Sequence, residues 1–320
     1  MINVSLQNFE SEVIAASATT PVLLDIWAEW CGPCKALGPV LEKLEAEYAG
    51  RFILAKVDAD AEPEIAGQLS QMFGVRSIPF CVMFAGGQPV DGFVGALPEK
   101  QIRAFLDKHV PGPQAIEAED DLTEAEELAA HGDADSALAK LQAALQLDAG
   151  NDEARLELVK LLLAAGRVSE ARAAFDPVAA RASGPLAEPR IAAFGRYVQA
   201  AEQAAAARPV GELQAAIAAN KRDFDARFEL AQVHFAAGRF TEALDELLEI
   251  LMRDKKWADE RARLTYVAIL EVMTRPQPKQ PAKAAGEPAK PTLELAGKTA
   301  VVSADPVVDQ YRRKLSMALF

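Results

Sequence analysis

Three apolar runs in the first third of the chain predict buried strands. They lie at residues 21–28, 51–59 and 79–87. The third run ends at Gly86 and Gly87, and residues 89–96 follow as its predicted hairpin partner. Helical periodicity follows the first run, stops at Gly50 and returns at residues 98–110. A strand–helix–strand unit followed by a hairpin and a helix predicts a mixed sheet with helices on both faces.

The pattern changes after residues 111–113, where strand signals give way to helical periodicity rich in alanine and leucine. Three stretches then resemble one another, at residues 130–141, 164–175 and 236–247. Gly132 and Gly166 lie 34 positions apart, and Ala137 and Ala171 keep the same spacing. A period of 34 with a turn glycine and a small residue five positions later resembles the tetratricopeptide repeat. The resemblance implies a stack of helix pairs that forms a binding surface.

The helical region is predicted to cover residues 114–273. Its helix pairs are expected at 118–130 with 133–147, 152–165 with 168–180, a degenerate pair near 187–219, and 223–237 with 240–254, followed by a capping helix at 258–273. The sequence of this region contains no nucleophile motif, metal-ligand cluster or phosphate-binding loop. It therefore predicts binding rather than catalysis.

The end of the chain has two different patterns. Residues 274–304 are rich in proline, alanine and lysine, which predicts a disordered linker. Residues 305–320 predict an amphipathic helix. Its apolar face contains Val308, Tyr311, Leu315 and Leu319, and a basic run of Arg312, Arg313 and Lys314 lies beside it. Two interpretations stay open: the helix docks on the array, or it binds a separate protein.

Charge and composition narrow the class of protein. The net charge of −13 argues against nucleic acid as a partner, because phosphate binding needs a basic surface. The charge is uneven: −6 over residues 1–110, −10 over 111–270 and +3 over 271–320. The sequence contains no run of 18 apolar residues, so it predicts no membrane-spanning helix. Its first residues lack the pattern of a secretory signal. With only three cysteines, the cytoplasm is the expected compartment.

Two of the three cysteines form a C-x-x-C pair where the first strand ends and a helix begins. Cys31 lies at the predicted helix N-terminus, whose positive dipole end favours a thiolate, the form that attacks disulfides. Cys34 is close enough in sequence to resolve a mixed disulfide. A zinc site would need about four ligands, which the scattered histidines do not supply. Asp25, in the preceding strand, is either an edge residue facing water or a buried carboxylate that relays a proton to or from Cys34.

The stretches "DIWAEWCGPCK", "AKVDAD" and "GVRSIPF" resemble thioredoxin in order and spacing. The resemblance covers residues 1–110 and implies a thioredoxin fold without a cofactor or metal beyond the redox-active Cys31–Cys34 disulfide. It implies Cys31 as the attacking thiol, Cys34 as the resolving thiol, and Asp25 as the proton-transfer acid with Lys56 beside it. Substrate binding would involve four further residues: Trp30, Ile78, Pro79 and Phe80. Pro79 would follow a cis peptide bond.

Two residues depart from the usual thioredoxin pattern. Phe80 stands where thioredoxins usually have threonine, and we expect it to add apolar bulk to the substrate groove. Cys81 faces away from Phe80 on strand alternation. It is either a small buried apolar residue or a second thiol that traps substrates.

The complete chain, an α/β thioredoxin fold followed by an all-α tetratricopeptide-like array and a "DPxxxxYRRKL"-type ending, resembles the YbbN/CnoX chaperedoxins. The resemblance implies a holdase that binds unfolding or oxidised clients and protects their cysteines by thiol–disulfide exchange. Clients would pass to a GroEL-type chaperonin or the DnaK system, and thioredoxin reductase is a further candidate partner. The C-terminal helix would contact the chaperonin: we expect Tyr311, Leu315 and Leu319 to insert into an apolar groove there, and Arg312, Arg313 and Lys314 to meet acidic residues. The alternative is a thioredoxin-type disulfide reductase whose repeats only select substrates.

Overall fold

The computed structural model describes residues 1–274 and 305–319. The described residues form two compact units, the first ending at Ile116 and the second beginning at Glu117. The predicted disordered linker lies outside the described residues from position 275 onward, so that prediction is not tested. No helix in the described part of the chain is long and apolar enough to cross a membrane.

The first unit contains a five-stranded sheet among its described residues, with the strand order β1-β3-β2-β4-β5. The strands are β1 (Ile2–Asn3), β2 (Val22–Trp27), β3 (Ile53–Asp58), β4 (Phe80–Ala85) and β5 (Gln88–Val94), and the helices are α1 (Gly32–Glu47), α2 (Pro63–Phe73) and α3 (Glu99–His109). β1 and β2 run parallel to β3, whereas β4 is antiparallel to both β2 and β5. The predicted mixed sheet is therefore confirmed.

Strand alternation divides the core of this unit into two layers. One face of β2 and β4 packs with α2 through residues that include Leu24, Val82 and Leu69. The opposite face packs with α1 and α3 through residues that include Leu23 and Met83. Both faces are apolar because helices cover both, so these strands are continuous hydrophobic runs rather than alternating ones.

Four elements of this unit were missing from the sequence predictions: β1, α2, a π-helical segment at Glu10–Ala15 and a 3-10 turn at Ala16–Ala18. β1 has only two residues, which is too short to produce a hydrophobic pattern. The helix α2 begins at Pro63 and ends before Gly74, whose φ of +68° lies in the left-handed region. Its buried positions, Ile65, Ala66 and Leu69, form a narrow stripe. Ile65, Leu69 and Met72 lie at i, i+4 and i+7, so the helical spacing was present in the sequence and the prediction overlooked it.

The second unit is an array of helices joined by short turns. Its helices are α4 (Pro113–Ala130), α5 (Ala134–Leu147), α6 (Asp152–Ala164), α7 (Val168–Phe175), α8 (Pro189–Ala204), α9 (Val210–Ala219), α10 (Phe224–Ala236), α11 (Phe240–Leu251) and α12 (Trp257–Met273), with a short 3-10 segment at Asp176–Ala182. The predicted helix pairs and the capping helix are confirmed, including the degenerate pair, which corresponds to α8 and α9.

The repeated glycines and alanines have distinct structural roles. Gly166 has φ +72°, its N–H donates to Leu163 and the next N–H donates to Leu162, so the helix α6 ends in a left-handed turn. Gly132 and Gly238 end α4 and α10 in the same way, with φ values of +83° and +70°. The matching alanines, Ala137, Ala171 and Ala243, are fully buried. A small side chain at these positions allows paired helices to approach closely.

The C-terminal helix α13 (Pro306–Leu319) packs on the array against α11 and α12. Val308 and Tyr311 are buried, and Leu315 packs partly against the same core. The Tyr311 hydroxyl donates to Asp245 Oδ1 at 3.0 Å, and the Tyr266 hydroxyl donates to the Tyr311 carbonyl at 2.9 Å. The predicted amphipathic helix is confirmed, and its apolar face covers this chain's own core.

This packing corrects the prediction that Tyr311 inserts into a groove on a partner, because its ring and hydroxyl are already engaged by the array. Lys314 also faces inward, toward Asp245 at 3.4 Å. Leu315 and Leu319 are only partly exposed, and Lys255 donates to the Leu319 carbonyl. Arg313 is exposed and remains available to a partner, whereas Arg312, also exposed, donates to Thr274 Oγ1 at 3.1 Å and pairs with Asp309 at 3.7 Å.

Candidate active site

The cysteine pair begins helix α1. A disulfide joins Cys31 and Cys34, whose Cα atoms lie 5.3 Å apart. Cys31 is the N-cap residue, and its Sγ accepts the backbone N–H of Cys34 at 3.2 Å. Pro33 occupies the first turn, where a missing N–H costs little. When the disulfide is reduced, the same N–H group and the helix dipole favour a thiolate on Cys31.

A carboxylic acid lies beneath this helix in the centre of the sheet. Asp25 in β2 is only 1% exposed and lies between Lys56 in β3 and Cys81 in β4 in the strand register. Burial raises the pKa of Asp25 to about 6, although Lys56 and the hydrogen bond from Cys81 act in the opposite direction. The charge of Glu42 raises this pKa further. Asp25 is therefore a buried carboxylate, and its interpretation as an edge residue that faces water is wrong.

A pocket of about 190 Å³ connects the acid to the resolving cysteine. Its lining includes Asp25, Cys34, Gly38, Glu42 and Lys56. Lys56 Nζ pairs with Glu42 Oε1 at 2.7 Å, which holds the ammonium group over the pocket. A Cβ at position 38 would lie 3.3 Å from Lys56 Nζ, so the glycine leaves room for this amine. The pocket gives a route for a proton between Cys34, Asp25 and solvent.

The rim around the disulfide is partly apolar. Trp30 is 70% exposed, and its indole N–H donates to Asp60 Oδ2 at 2.8 Å. The Ile78–Pro79 peptide bond is cis, as the resemblance implied. Ile78 is half-buried and packs against Cys31 and Cys34. An exposed tryptophan and a half-buried isoleucine beside a buried disulfide are typical of a surface that contacts another polypeptide chain.

The structure corrects the expected role of Phe80. Its side chain is 1% exposed and packs edge-on against Phe73 of α2, with ring centroids 5.5 Å apart. Because Phe80 and Cys81 are consecutive strand residues, they point to opposite faces of the sheet, and both of those faces are covered. Phe80 is therefore a core residue and adds no bulk to the accessible rim. Pro79 is also buried, although its cis bond shapes the adjoining loop.

Cys81 is fully buried and is a free thiol. Its side chain lies 3.6 Å from Asp25 Oδ1, a distance that suits a hydrogen bond from sulfur. A thiol with no solvent access cannot capture a client disulfide, so the substrate-trapping interpretation is wrong. The expected small buried residue is confirmed, with the addition of a polar contact.

The sequence interpretation missed five residues that line the pocket: Trp27, Lys35, Gly38, Pro39 and Glu42. Gly38 and Glu42 follow Cys34 at intervals of four, so all three lie on one face of α1. This spacing was visible in the sequence, but it does not show that the face covers Lys56. No group of three or more His, Cys, Asp or Glu side chains within residues 1–274 and 305–319 is arranged to hold a metal ion.

Comparisons with known proteins agree with this geometry. The family profile for thioredoxin matches residues 1–108, and two tetratricopeptide-repeat profiles match residues 128–194 and 203–283. A thioredoxin from Chlorobaculum thiosulfatiphilum is 45% identical over 104 residues, which cover 32% of this chain and 91% of that protein. Thioredoxin C-2 from Corynebacterium nephridii is 41% identical over 110 residues, which cover 34% of this chain and 96% of that protein.

A thioredoxin from Haemophilus influenzae is 40% identical over 110 residues, which cover 34% of this chain and 97% of that protein. These relatives match the first unit almost from end to end and do not extend into the helical array. A thioredoxin domain followed by tetratricopeptide repeats matches the domain architecture of proteins such as YbbN/CnoX. With its cysteine pair at the start of α1 and these close relatives, the chain belongs to the thioredoxin family.

Proposed function

We propose that this protein is a chaperedoxin: it holds unfolding proteins and exchanges disulfides with their cysteines. The observation that carries the redox half is the position of the Cys31–Cys34 pair at a helix N-terminus, sharing a pocket with the buried acid Asp25. The holding half is supported by the helical array with its repeat matches and by exposed apolar side chains on it.

The exchange follows from the groups in the pocket. In the reduced protein, the Cys31 thiolate attacks one sulfur of a client disulfide, and the other client sulfur leaves as a thiolate that takes a proton from water. The Cys34 thiol then gives its proton to the Asp25 carboxylate and attacks Cys31 Sγ. The second client thiolate leaves, and the Cys31–Cys34 disulfide forms. Two electrons pass to the client, and a dithiol reductant or thioredoxin reductase restores the pair.

Lys56 assists the acid directly, whereas Glu42 opposes its ionisation and contributes by holding Lys56. The Lys56 ammonium lowers the pKa of Asp25, and its ion pair with Glu42 keeps the amine at the pocket. Without Lys56, burial would favour the protonated carboxyl more strongly, and fewer molecules could accept the Cys34 proton. We assign Asp25 the role of proton acceptor and Lys56 the role of positioning residue.

The redox half is tested by insulin reduction with dithiothreitol. We expect the wild type to reduce insulin and Cys31→Ser to be inactive, because no thiolate then attacks. Glu29→Gln serves as a control, since it changes an exposed side chain two residues before the cysteine pair and outside the proton-transfer pocket. Equal rates for the wild type and Cys31→Ser would remove Cys31 from this role.

The holding half is tested by suppression of aggregation of a heat-unfolded client. Leu264 and Val267 are about two-fifths exposed and lie three residues apart on one face of α12. We expect the double variant Leu264→Ser/Val267→Ser to suppress aggregation less well than the wild type. The control Leu186→Ser, at a 92% exposed loop position, should suppress it as well as the wild type does. The double variant Cys31→Ser/Cys34→Ser should still suppress aggregation.

The alternative function is a disulfide reductase whose array only selects substrates. It is favoured if Cys31→Ser/Cys34→Ser loses all suppression of aggregation, because holding would then depend on covalent exchange. The same assay therefore separates the two functions.

We also propose that clients pass to a GroEL-type chaperonin or to the DnaK system. The exposed face of α13 contains Arg313 and Met317, four residues apart, and Met317 is 75% exposed. We expect Arg313→Glu/Met317→Ser to reduce co-purification with the chaperonin while the helix stays docked through Val308 and Tyr311. Unchanged co-purification would exclude this face as the chaperonin contact.

A further inference from the structure

Asp25 is contacted from both neighbouring strands, by Lys56 on one side and by the thiol of Cys81 on the other. Cys81 on β4 lies directly opposite Asp25 in the antiparallel register, and its Sγ is 3.6 Å from Asp25 Oδ1. Both residues are at most 1% exposed. In the other direction the pocket brings Cys34 and Lys56 toward the acid. The carboxyl group therefore lies between a thiol in the core and the groups that line the pocket.

We infer that Cys81 is a positioning residue for the proton acceptor, holding the Asp25 carboxylate through an S–H···O hydrogen bond. The direction of this bond follows from chemistry. Burial, together with the adjacent carboxylate, raises the pKa of the Cys81 thiol well above its usual range, so the thiol keeps its proton and donates it. A carboxylate can only accept. The inference rests on the proposed redox function, because it assigns the bond to the step in which Cys34 loses its proton.

The bond favours the ionised form of Asp25, because it is made to the carboxylate oxygen. Five titratable groups face the acid or line its pocket: Lys56 on β3, Cys81 on β4, and Cys34, Lys35 and Glu42 on α1. Burial and Glu42 disfavour the carboxylate, while Lys56 and Cys81 favour it. The hydrogen bond from Cys81 thus partly offsets the desolvation of the Asp25 carboxylate, and it does so from the side of the acid that faces the core. An alkyl side chain at this position would fill the same space without offering a proton.

The test uses the reduced full-length protein and two Cys81 variants. Cys81→Val removes the S–H donor at similar volume, and Cys81→Ser keeps a donor at slightly smaller volume. Single-turnover oxidation by a small glutathione-type disulfide is followed between pH 5.5 and 8.5. Since a net hydrogen bond contributes about 0.5–1.5 kcal/mol, Cys81→Val should move the acid limb of the profile to higher pH by about half to one unit. This corresponds to resolution of the mixed disulfide about two- to fivefold slower at pH 6, with the difference closing toward pH 8.

Cys81→Ser should restore the wild-type limb or move it to lower pH, because the hydroxyl is a stronger donor than the thiol. In an Asp25→Asn background, Cys81→Val should leave the shape of the profile unchanged, since no carboxylate remains to be held. Identical shifts in the serine and valine variants would identify a packing effect, and an unmoved limb in Cys81→Val would equally overturn the inference.

Carbon-13 NMR of the Asp25 carboxyl gives a readout that does not require activity. We expect Cys81→Val to raise its titration midpoint and Cys81→Ser to restore or lower it. A protein that fails to exchange disulfides but keeps this pattern would refute the proposed redox function and preserve the hydrogen bond. Normal exchange with an unchanged titration in Cys81→Val would refute the bond alone.

Discussion

Replacing Asp25 with asparagine should stabilise the protein at neutral pH. The folded protein raises the pKa of this acid from 3.8 to about 6, mainly by burial. In the unfolded chain the acid ionises near its ordinary value. Between these two pKa values the folded state therefore binds more protons than the unfolded state, and the free energy of unfolding falls as pH rises.

The magnitude follows from the size of the pKa change. A difference of about two pH units corresponds to about 3 kcal/mol, fully expressed above pH 6 and absent below the unfolded pKa. Asparagine has nearly the same shape and does not titrate. We compare the free energy of unfolding of Asp25→Asn with that of the wild type at each pH. The difference in favour of Asp25→Asn should be up to about 3 kcal/mol larger at pH 8 than at pH 4.

Urea unfolding of the oxidised protein measures this difference. A Trp257→Phe background limits tryptophan fluorescence to Trp27 and Trp30, which flank the site. Unfolding curves at pH 4, 6 and 8 then report on the first unit. Glu29→Gln is a matched control, because it removes an acid from an exposed position near the disulfide. A pH-independent difference between wild type and Asp25→Asn would refute a raised pKa for the buried acid.

Four further substitutions test the corrected core, the docked helix and a turn of the helical array. Phe80→Ala should lower the free energy of unfolding by about 3–5 kcal/mol in urea denaturation, the cost of removing an aromatic ring from the core. A loss below 1 kcal/mol would contradict the buried position of Phe80. Tyr311→Phe should cost about 0.5–1.5 kcal/mol through its lost hydrogen bond to Asp245, whereas Arg313→Ala should be neutral by thermal melting. Gly238→Ala should cost about 1–2 kcal/mol, because its φ of +70° strains a residue with a Cβ; an unchanged melting temperature would contradict this.

Local patterns in the sequence determined much of this protein. Strands β2 to β5 and the helix pairs of the array follow from hydrophobic periodicity and from turn glycines such as Gly132. Cys31 and Cys34 could be identified because only two residues, Gly32 and Pro33, separate them, and a spacing this short can be recognised without knowledge of the fold. The strand alternation that places Cys81 opposite Phe80 was equally visible.

Only the tertiary structure decided what lies on each side of these elements. Phe80 became a core residue because α2, a helix that the sequence predictions missed, covers its face of the sheet. Tyr311 became a contact of the array because Asp245, distant in sequence, faces it. The neighbours of Asp25 come from three separate segments that meet only when strand register is set. Periodicity tells which face of an element is apolar, whereas long-range packing determines what covers that face, and no local spacing encodes it.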